Sequence, residues 1–197
     1  MSSPNEAGND AEIITASLHD PEQFAAVFDR HAPHIQRYLA RRLGGQIADD
    51  LVAETFLIAF GKRGRYDPFY PNARPWLYGI ATHLVGQHRR EEVREYRLRA
   101  ALGPPVDQAC HAEQVAAQVT AQAMNELLAA ALAALSQGDR DVLVLIAWES
   151  LSYEEVAAAL GIPVGTVRSR LNRARKKVRA TLGHSEHALA EEVSNHG

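Results

Sequence analysis

The sequence predicts an all-α protein of two small helical domains, an N-terminal three-to-four-helix domain and a C-terminal helix-turn-helix domain, joined by a flexible linker. Three observations predict it. Alanine and leucine dominate a composition that is 46% hydrophobic, and valine and isoleucine cluster only briefly, which favours helix over sheet. Apolar residues recur at helical spacing in separate stretches on either side of the middle of the 197-residue chain. Between those stretches Gly103, Pro104 and Pro105 interrupt the pattern, as a linker does.

Taken in order, residues 1–20 are polar and are expected to form a disordered N-terminus. From Pro21 to Leu43 the residues Phe24, Val27, Phe28, Ile35 and Leu39 fall at helical spacing, predicting one or two helices that stop at Gly44 and Gly45. A further helix is expected from about Ala48 to Arg63 and another from about Arg74 to Arg99, separated by the stretch RYDPFYPNARP, whose prolines require a loop. The first domain therefore spans residues 21–100, the linker 101–123 and the second domain 124–183. Residues 184–197 form a tail of weak periodicity with no assigned role.

The formal net charge is -3, but the charges are segregated. Residues 1–29 carry six acids and no base, and residues 100–163 carry eight acids against the single base Arg140. Residues 164–179 reverse this with seven bases and no acid, and residues 62–99 hold nine bases against four acids. Two basic surfaces on an acidic chain point to two contacts with one polyanion, because phosphate binding follows local positive charge.

The second basic segment has a defined local architecture. Ser152 and Glu155 have the spacing of a capping box that starts a short helix. Gly161 supplies the left-handed residue that closes it, and Pro163 is tolerated only at the start of the next helix. The two helices are thus separated by about three residues, as in a helix-turn-helix. On the second helix Val167, Leu171, Ala174 and Val178 form an apolar stripe that must face a core. The opposite arc presents Thr166, Arg168, Ser169, Asn172, Arg173 and Lys176, with Arg170 and Arg175 at its flanks. Such residues reach base edges in the major groove, where arginine binds guanine through two hydrogen bonds.

The run from Leu160 to Arg170, with Arg173, Ala174 and Arg175, closely resembles the promoter -35 reading segment of extracytoplasmic-function (ECF) sigma factors, members of the primary sigma factor superfamily. The stretch Leu132–Leu145 resembles the helix before that segment, although Asp141 stands where the family usually has glutamate. Separately, Asp49–Leu57 resembles the family's core-polymerase docking helix. Its periodicity buries Leu51, Val52, Thr55, Phe56, Ala59 and Phe60 and leaves Asp50, Glu54 and Leu57 projecting. A third match, Arg74–Ala81 followed by basic residues, resembles the family's -10 recognition helix. On that helix Trp76, Ile80, His83 and Leu84 share a face, so Trp76 is expected in the core.

The resemblance implies a division of roles. Asp49, Asp50, Leu51, Glu54 and Leu57 would meet core RNA polymerase at the clamp helix pair of its largest subunit. Thr166, Arg168, Ser169, Arg170, Asn172, Arg173 and Lys176 would read the -35 duplex. Phe69, Tyr70 and Asn72 lie in the loop where this family captures a flipped base, and with Arg74, His83, Gln87 and Arg90 they would serve the -10 element. His83 replaces the usual asparagine and Gln87 the usual aspartate, departures that bear on base preference. The resemblance also admits an anti-sigma factor as a partner.

Other classes find little support. No nucleophile-base grouping or phosphate-cradling glycine loop suggests an enzyme, and no cofactor is expected. Cys110 is the only cysteine, so no intrachain disulfide can form and a reducing compartment is expected. With His111 it makes too few ligands for zinc, so no metal is expected either. The N-terminus lacks a signal-peptide pattern and no apolar run is long enough for a membrane span, so the expected location is the cytoplasm. The alternative is a helix-turn-helix transcriptional regulator controlled by a ligand or by phosphorylation, which would lack the docking helix.

Overall fold

The structure, a computed structural model, describes residues 9–102 and 128–194. Its elements are α1 (Asp10–Ala16), a 3-10 turn (Pro21–Phe24), α2 (Ala25–Leu43), α3 (Gly45–Lys62), a 3-10 turn (Arg63–Arg65), α4 (Arg74–Leu102), α5 (Gln137–Ala147), α6 (Tyr153–Leu160) and α7 (Val164–Ser194). Residues 128–133 are also helical, and there is no strand among the described residues. Two compact units separate: residues up to Arg94 with Glu154–Ile162, and residues from Glu95 to Tyr153 with those from Pro163 onward. The linker expected over 101–123, with Cys110 and His111, lies almost wholly outside the described residues.

The first unit forms where α2, α3 and α4 turn their apolar sides inward. Val27, Ile35, Tyr38 and Leu39 of α2, Ala48, Phe56 and Ala59 of α3, and Leu77, Tyr78, Ala81 and Val85 of α4 are buried. Each large side chain so buried contributes on the order of 1.5–3 kcal/mol. A polar pair within this core is satisfied internally, Tyr38 Oη lying 2.7 Å from Thr82 Oγ1, and the Tyr38 and Tyr78 rings meet edge to face at 5.3 Å. Gly44, at φ +89, makes the break between α2 and α3, and α3 begins at Gly45 rather than near Ala48.

Residues 10–16 correct the expectation of a disordered N-terminus. Asn9 caps α1 by accepting from the Glu12 N–H at 2.9 Å, and Asp10, Ala11 and Ile14 are buried. The segment looks polar because Asp10 is an acid, but that acid has partners inside the fold. The expected tail also differs, since α7 continues as helix to Ser194.

In the second unit α5 packs on α7. Val142, Val144 and Leu145 of α5 and Val167, Leu171 and Ala174 of α7 are buried, as the stripe on α7 requires. Ser136 caps α5 by accepting from the Asp139 N–H. Arg140, the lone base of its acidic stretch, donates to the carbonyl oxygens of Leu132, Ala133 and Leu135, closing the preceding helix end. Before α7, Gly161 at φ +63 and the bonds Gly161 N–H to Ala158 O and Ile162 N–H to Ala157 O form a Schellman stop. No helix among the described residues is long and apolar enough to cross a membrane.

Candidate functional site

Three surfaces carry the residues singled out by the sequence. On α3, Asp49, Asp50 and Glu54 are exposed and Leu57 is 72% exposed. Leu51 is instead buried with Val52, Thr55 and Phe56, because it lies on the inner half of the helix; it supports the patch and does not line it. Beside the patch a shallow groove runs between α2 and α3, lined by Ala32, Pro33, Gln36, Arg37, Asp49 and Val52. Phe28, half-exposed, packs edge to face on Phe56 at 4.8 Å. The patch thus sets one exposed leucine beside three exposed carboxylates.

The second surface is the loop before α4. Its turns are set by short side chains: Asp67 Oδ1 accepts from the Phe69 N–H at 3.0 Å and Asn72 Oδ1 from the Arg74 N–H at 3.0 Å. Tyr66 Oη donates to the Tyr70 carbonyl at 2.6 Å. The result is a pocket whose lining includes Arg65, Tyr66, Asp67, Tyr70, Asn72, Pro75 and Trp76. The Tyr66 and Trp76 rings lie 4.9 Å apart. Burial first, and then the negative charges of Asp10 and Asp67, push the Tyr66 hydroxyl up to about 12, so it stays a protonated donor.

Of the residues expected here, Tyr70 and Asn72 line the pocket, whereas Phe69 is 87% exposed and stands outside it. Trp76 is only half-buried and belongs to the pocket wall, which corrects its expected place in the core. The inner face of α4 is carried by Leu77, Tyr78, Ala81, Leu84 and Val85, one step around the helix from Trp76, Ile80 and His83. His83, Gln87 and Arg90 are exposed at spacings that keep them on one side of α4, and the Arg74 guanidinium lies 5.7 Å from the Tyr78 ring centre. Arg65, Tyr66 and Pro75 were not singled out by sequence; only the aromatic density of the loop hinted at them.

The third surface is the outer face of α7. Arg168, Ser169, Asn172, Arg173 and Lys176 are exposed, and Thr166 and Arg170 half-buried. Ser169 Oγ donates to the Thr166 carbonyl at 3.0 Å, and the Arg168 guanidinium lies 5.9 Å from the Tyr153 ring centre. Arg173 turns towards α5, donating to Asp139 Oδ1 at 2.9 Å, and Arg170 lies against Gly138, where an added Cβ would meet its Nη1 at 2.7 Å. Burial alone would raise the Asp139 carboxyl, but hydrogen bonds from Arg173 and Ser136 and the charges of Arg173 and Arg170 hold it below the usual range. Arg168, Asn172 and Lys176 therefore form the outermost polar row, and Arg173 and Arg170 sit at its edge.

Known proteins resemble both parts of the chain. Residues 27–95 match the family described as Sigma-70 region 2, and residues 125–178 match Sigma-70, region 4. RNA polymerase sigma factor CarQ of Myxococcus xanthus is 35% identical over 170 residues, covering 86% of this chain and 94% of that one. ECF RNA polymerase sigma factor SigL of Mycobacterium tuberculosis is 33% identical over 174 residues, covering 87% and 96%. Among solved structures, CnrH in complex with the cytosolic domain of CnrY covers 89% of this chain and 97% of its own, at 26% identity and a TM-score of 0.61. The sigma factor RpoE in complex with the anti-sigma factor NepR from Bartonella quintana shares the fold at a TM-score of 0.60 and 24% identity, covering 82% and 98%.

Proposed function

The chain belongs to the sigma-70 family as an ECF RNA polymerase sigma factor, and from that premise we propose how its surfaces divide the work of promoter-directed transcription initiation. Asp49, Asp50, Glu54 and Leu57 dock on the clamp helices of the largest polymerase subunit, with Leu51 holding the docking helix in place from below. Tyr70, Asn72 and the Trp76 wall take up a base extruded from the -10 element, and Arg74, His83, Gln87 and Arg90 follow the separated strand. Stacking and pocket hydrogen bonds offset the few kcal/mol that unstacking costs. Thr166, Arg168, Ser169, Asn172 and Lys176 read the -35 duplex, with Arg170 and Arg173 contributing charge at the edge.

The observation that carries this reading is the aromatic pocket at the head of a helix whose exposed side is His83, Gln87 and Arg90. A ligand- or phosphorylation-controlled regulator has use for α7 but none for an aromatic pocket and an acidic, leucine-bearing docking patch on one chain. Anti-sigma factors are a natural second class of partner, and the work is done in the cytoplasm, where promoter DNA and polymerase meet.

In vitro transcription with core RNA polymerase and genomic promoter fragments tests the proposal. The native chain should confer start-site selection, and Asp50→Lys with Glu54→Lys should abolish it while helical content and melting stay unchanged. Unaltered transcription by that double variant sinks the docking assignment.

A further inference from the structure

The far end of the loop that forms the pocket is anchored to a single acid on α1. Asp10 is 3% exposed. Its backbone N–H donates to the Pro71 carbonyl at 3.0 Å, and its Oδ2 accepts from the Ala73 N–H at 2.8 Å. The same carboxylate is held from behind by His31 Nε2 at 2.8 Å and by Arg30, both on α2. Asp10 thus grips the loop on both sides of Asn72, the residue whose turn starts α4.

The near end of the loop is braced from the same place. Arg63 Nε donates to the Ser17 carbonyl, just after α1, at 3.3 Å, and its guanidinium lies 3.8 Å from the Phe60 ring centre. Residues 66–73 therefore hang between two attachments to α1 and its following turn. Neither Asp10 nor Ser17 falls within residues 27–95 that match the sigma-70 region 2 family.

We propose that Asp10 is a positioning residue for base capture: through the Ala73 N–H and the Pro71 carbonyl it fixes the loop so that Tyr70, Asn72 and Trp76 stand ready around one extruded base. A loop closed in advance does not have to be ordered when the base arrives, and ordering costs affinity. The carboxylate is the right group for the task. It accepts from a backbone amide on the loop and, on α2, from the Arg30 guanidinium and the His31 ring at once, which no neutral side chain of its length does. This inference rests on the pocket reading above and adds to it an element outside the pocket.

The test uses the full chain assembled with core RNA polymerase, on a promoter found by the transcription assay. Three readings are compared: binding of a single-stranded oligonucleotide carrying the non-template -10 element, discrimination between bases at the captured position, and affinity for core polymerase. Asp10→Ala should weaken oligonucleotide binding about tenfold, the size expected for losing a charged hydrogen bond, and should flatten base discrimination. Core affinity and the preference among -35 duplexes should not change. Asp10→Asn keeps an acceptor for the Ala73 N–H, so it should recover most of both losses, and it carries the test should Asp10→Ala fold poorly. Amide exchange at Ala73 should be fast in the alanine variant and slow in the asparagine one.

Tyr70→Ala measures the pocket independently, and combined with Asp10→Ala it should cost less than the sum of the two. If Tyr70→Ala lowers discrimination while both Asp10 variants leave it intact, the inference is overturned and the pocket reading stands. If Tyr70→Ala changes nothing, the pocket reading fails and takes the inference with it. If the Asp10 variants lower core affinity and -35 preference along with -10 binding, Asp10 only stabilises the fold, and the inference is again overturned.

Discussion

On α7 the outward residues are placed by helix periodicity: once Val167, Leu171 and Ala174 are buried, Arg168, Asn172 and Lys176 have nowhere to point but out. In the pocket before α4 nothing is placed that way. Tyr66, Tyr70 and Trp76 come from an irregular loop and a helix start, and the atom that fixes the loop, Asp10 Oδ2, lies 63 residues from the Ala73 amide it accepts. One surface is local, exposed and repetitive; the other is long-range, partly buried and singular. The difference teaches where each surface is vulnerable: the first keeps its shape when any one member is lost, and the second depends for its shape on a few irreplaceable bonds.

The largest break in that comparison should come at Asp10. Its removal leaves the buried His31 and the Ala73 amide without their acceptor, and breaking a buried charged group's network typically costs about 3–5 kcal/mol. Urea melting of Asp10→Ala should register a loss of that order in the first unit. An equally drastic cut on the outer face of α7, Asn172→Ala, should leave melting unchanged within about 0.5 kcal/mol. A stability loss at Asp10 below that small figure would mean the loop is held by something else.

Next in size is specificity. Arg168→Ala removes an exposed guanidinium from the outermost row of α7, and taking one base-reading side chain off a recognition helix costs about 1–3 kcal/mol of discrimination. Competition between -35 duplex variants should narrow by that amount at one position, with no change in -10 discrimination. A uniform weakening across all sequences would mean that Arg168 meets a phosphate and not a base.

The same contrast explains what the sequence made legible. Helix α7 with its stripe, and the Gly161 stop of α6 before it, were readable because every determinant sits within one or two turns of the residue it determines. The split of α3 into an inner and an outer face was readable for the same reason, down to the exposed Leu57 and the buried Phe56. The role of α1 was not readable, since an acid in a polar stretch looks solvated until its partners Arg30, His31 and Ala73 converge on it in space. Helix spacing places Trp76 wrongly because it does not say which of two adjacent stripes, Leu77–Ala81–Leu84 or Trp76–Ile80–His83, turns inward; packing against α2 decides that.

Acid sharpens the comparison further. For Asp10, burial favours the neutral form, but hydrogen bonds from His31 and the Ala73 N–H and the charges of His31 and Arg30 outweigh it and hold the carboxyl below its ordinary value of 3.8. A carboxyl depressed in the folded state contributes stability that is present above its unfolded pKa and is lost as pH falls through the folded one. Below about pH 4 the first unit should therefore loosen, beginning with the loop. Trp76 is in the first unit and Trp148 in the second, so fluorescence of Trp148→Phe and Trp76→Phe chains follows each separately. A signal from Trp76 that is flat under acid down to the global transition would remove Asp10 as the acid-sensitive element.

The smallest effect is the most discriminating one on α7. The exposed Arg173 guanidinium is held by an Asp139 side chain that is itself only 13% exposed; with one partner in solvent such a pair is worth about 1 kcal/mol, so Asp139→Asn should cost little stability. It also releases a guanidinium at the edge of the exposed row of α7 and removes a negative charge beside it. If Arg173 exchanges Asp139 for a phosphate when DNA binds, holoenzyme binding to a -35 duplex should tighten in this variant at low salt. Arg173→Ala should then lower the slope of log affinity against log salt by about one unit. If Asp139→Asn leaves affinity untouched and Arg173→Ala leaves the slope untouched, Arg173 is a brace between α5 and α7, and the reading row ends at Arg168, Asn172 and Lys176.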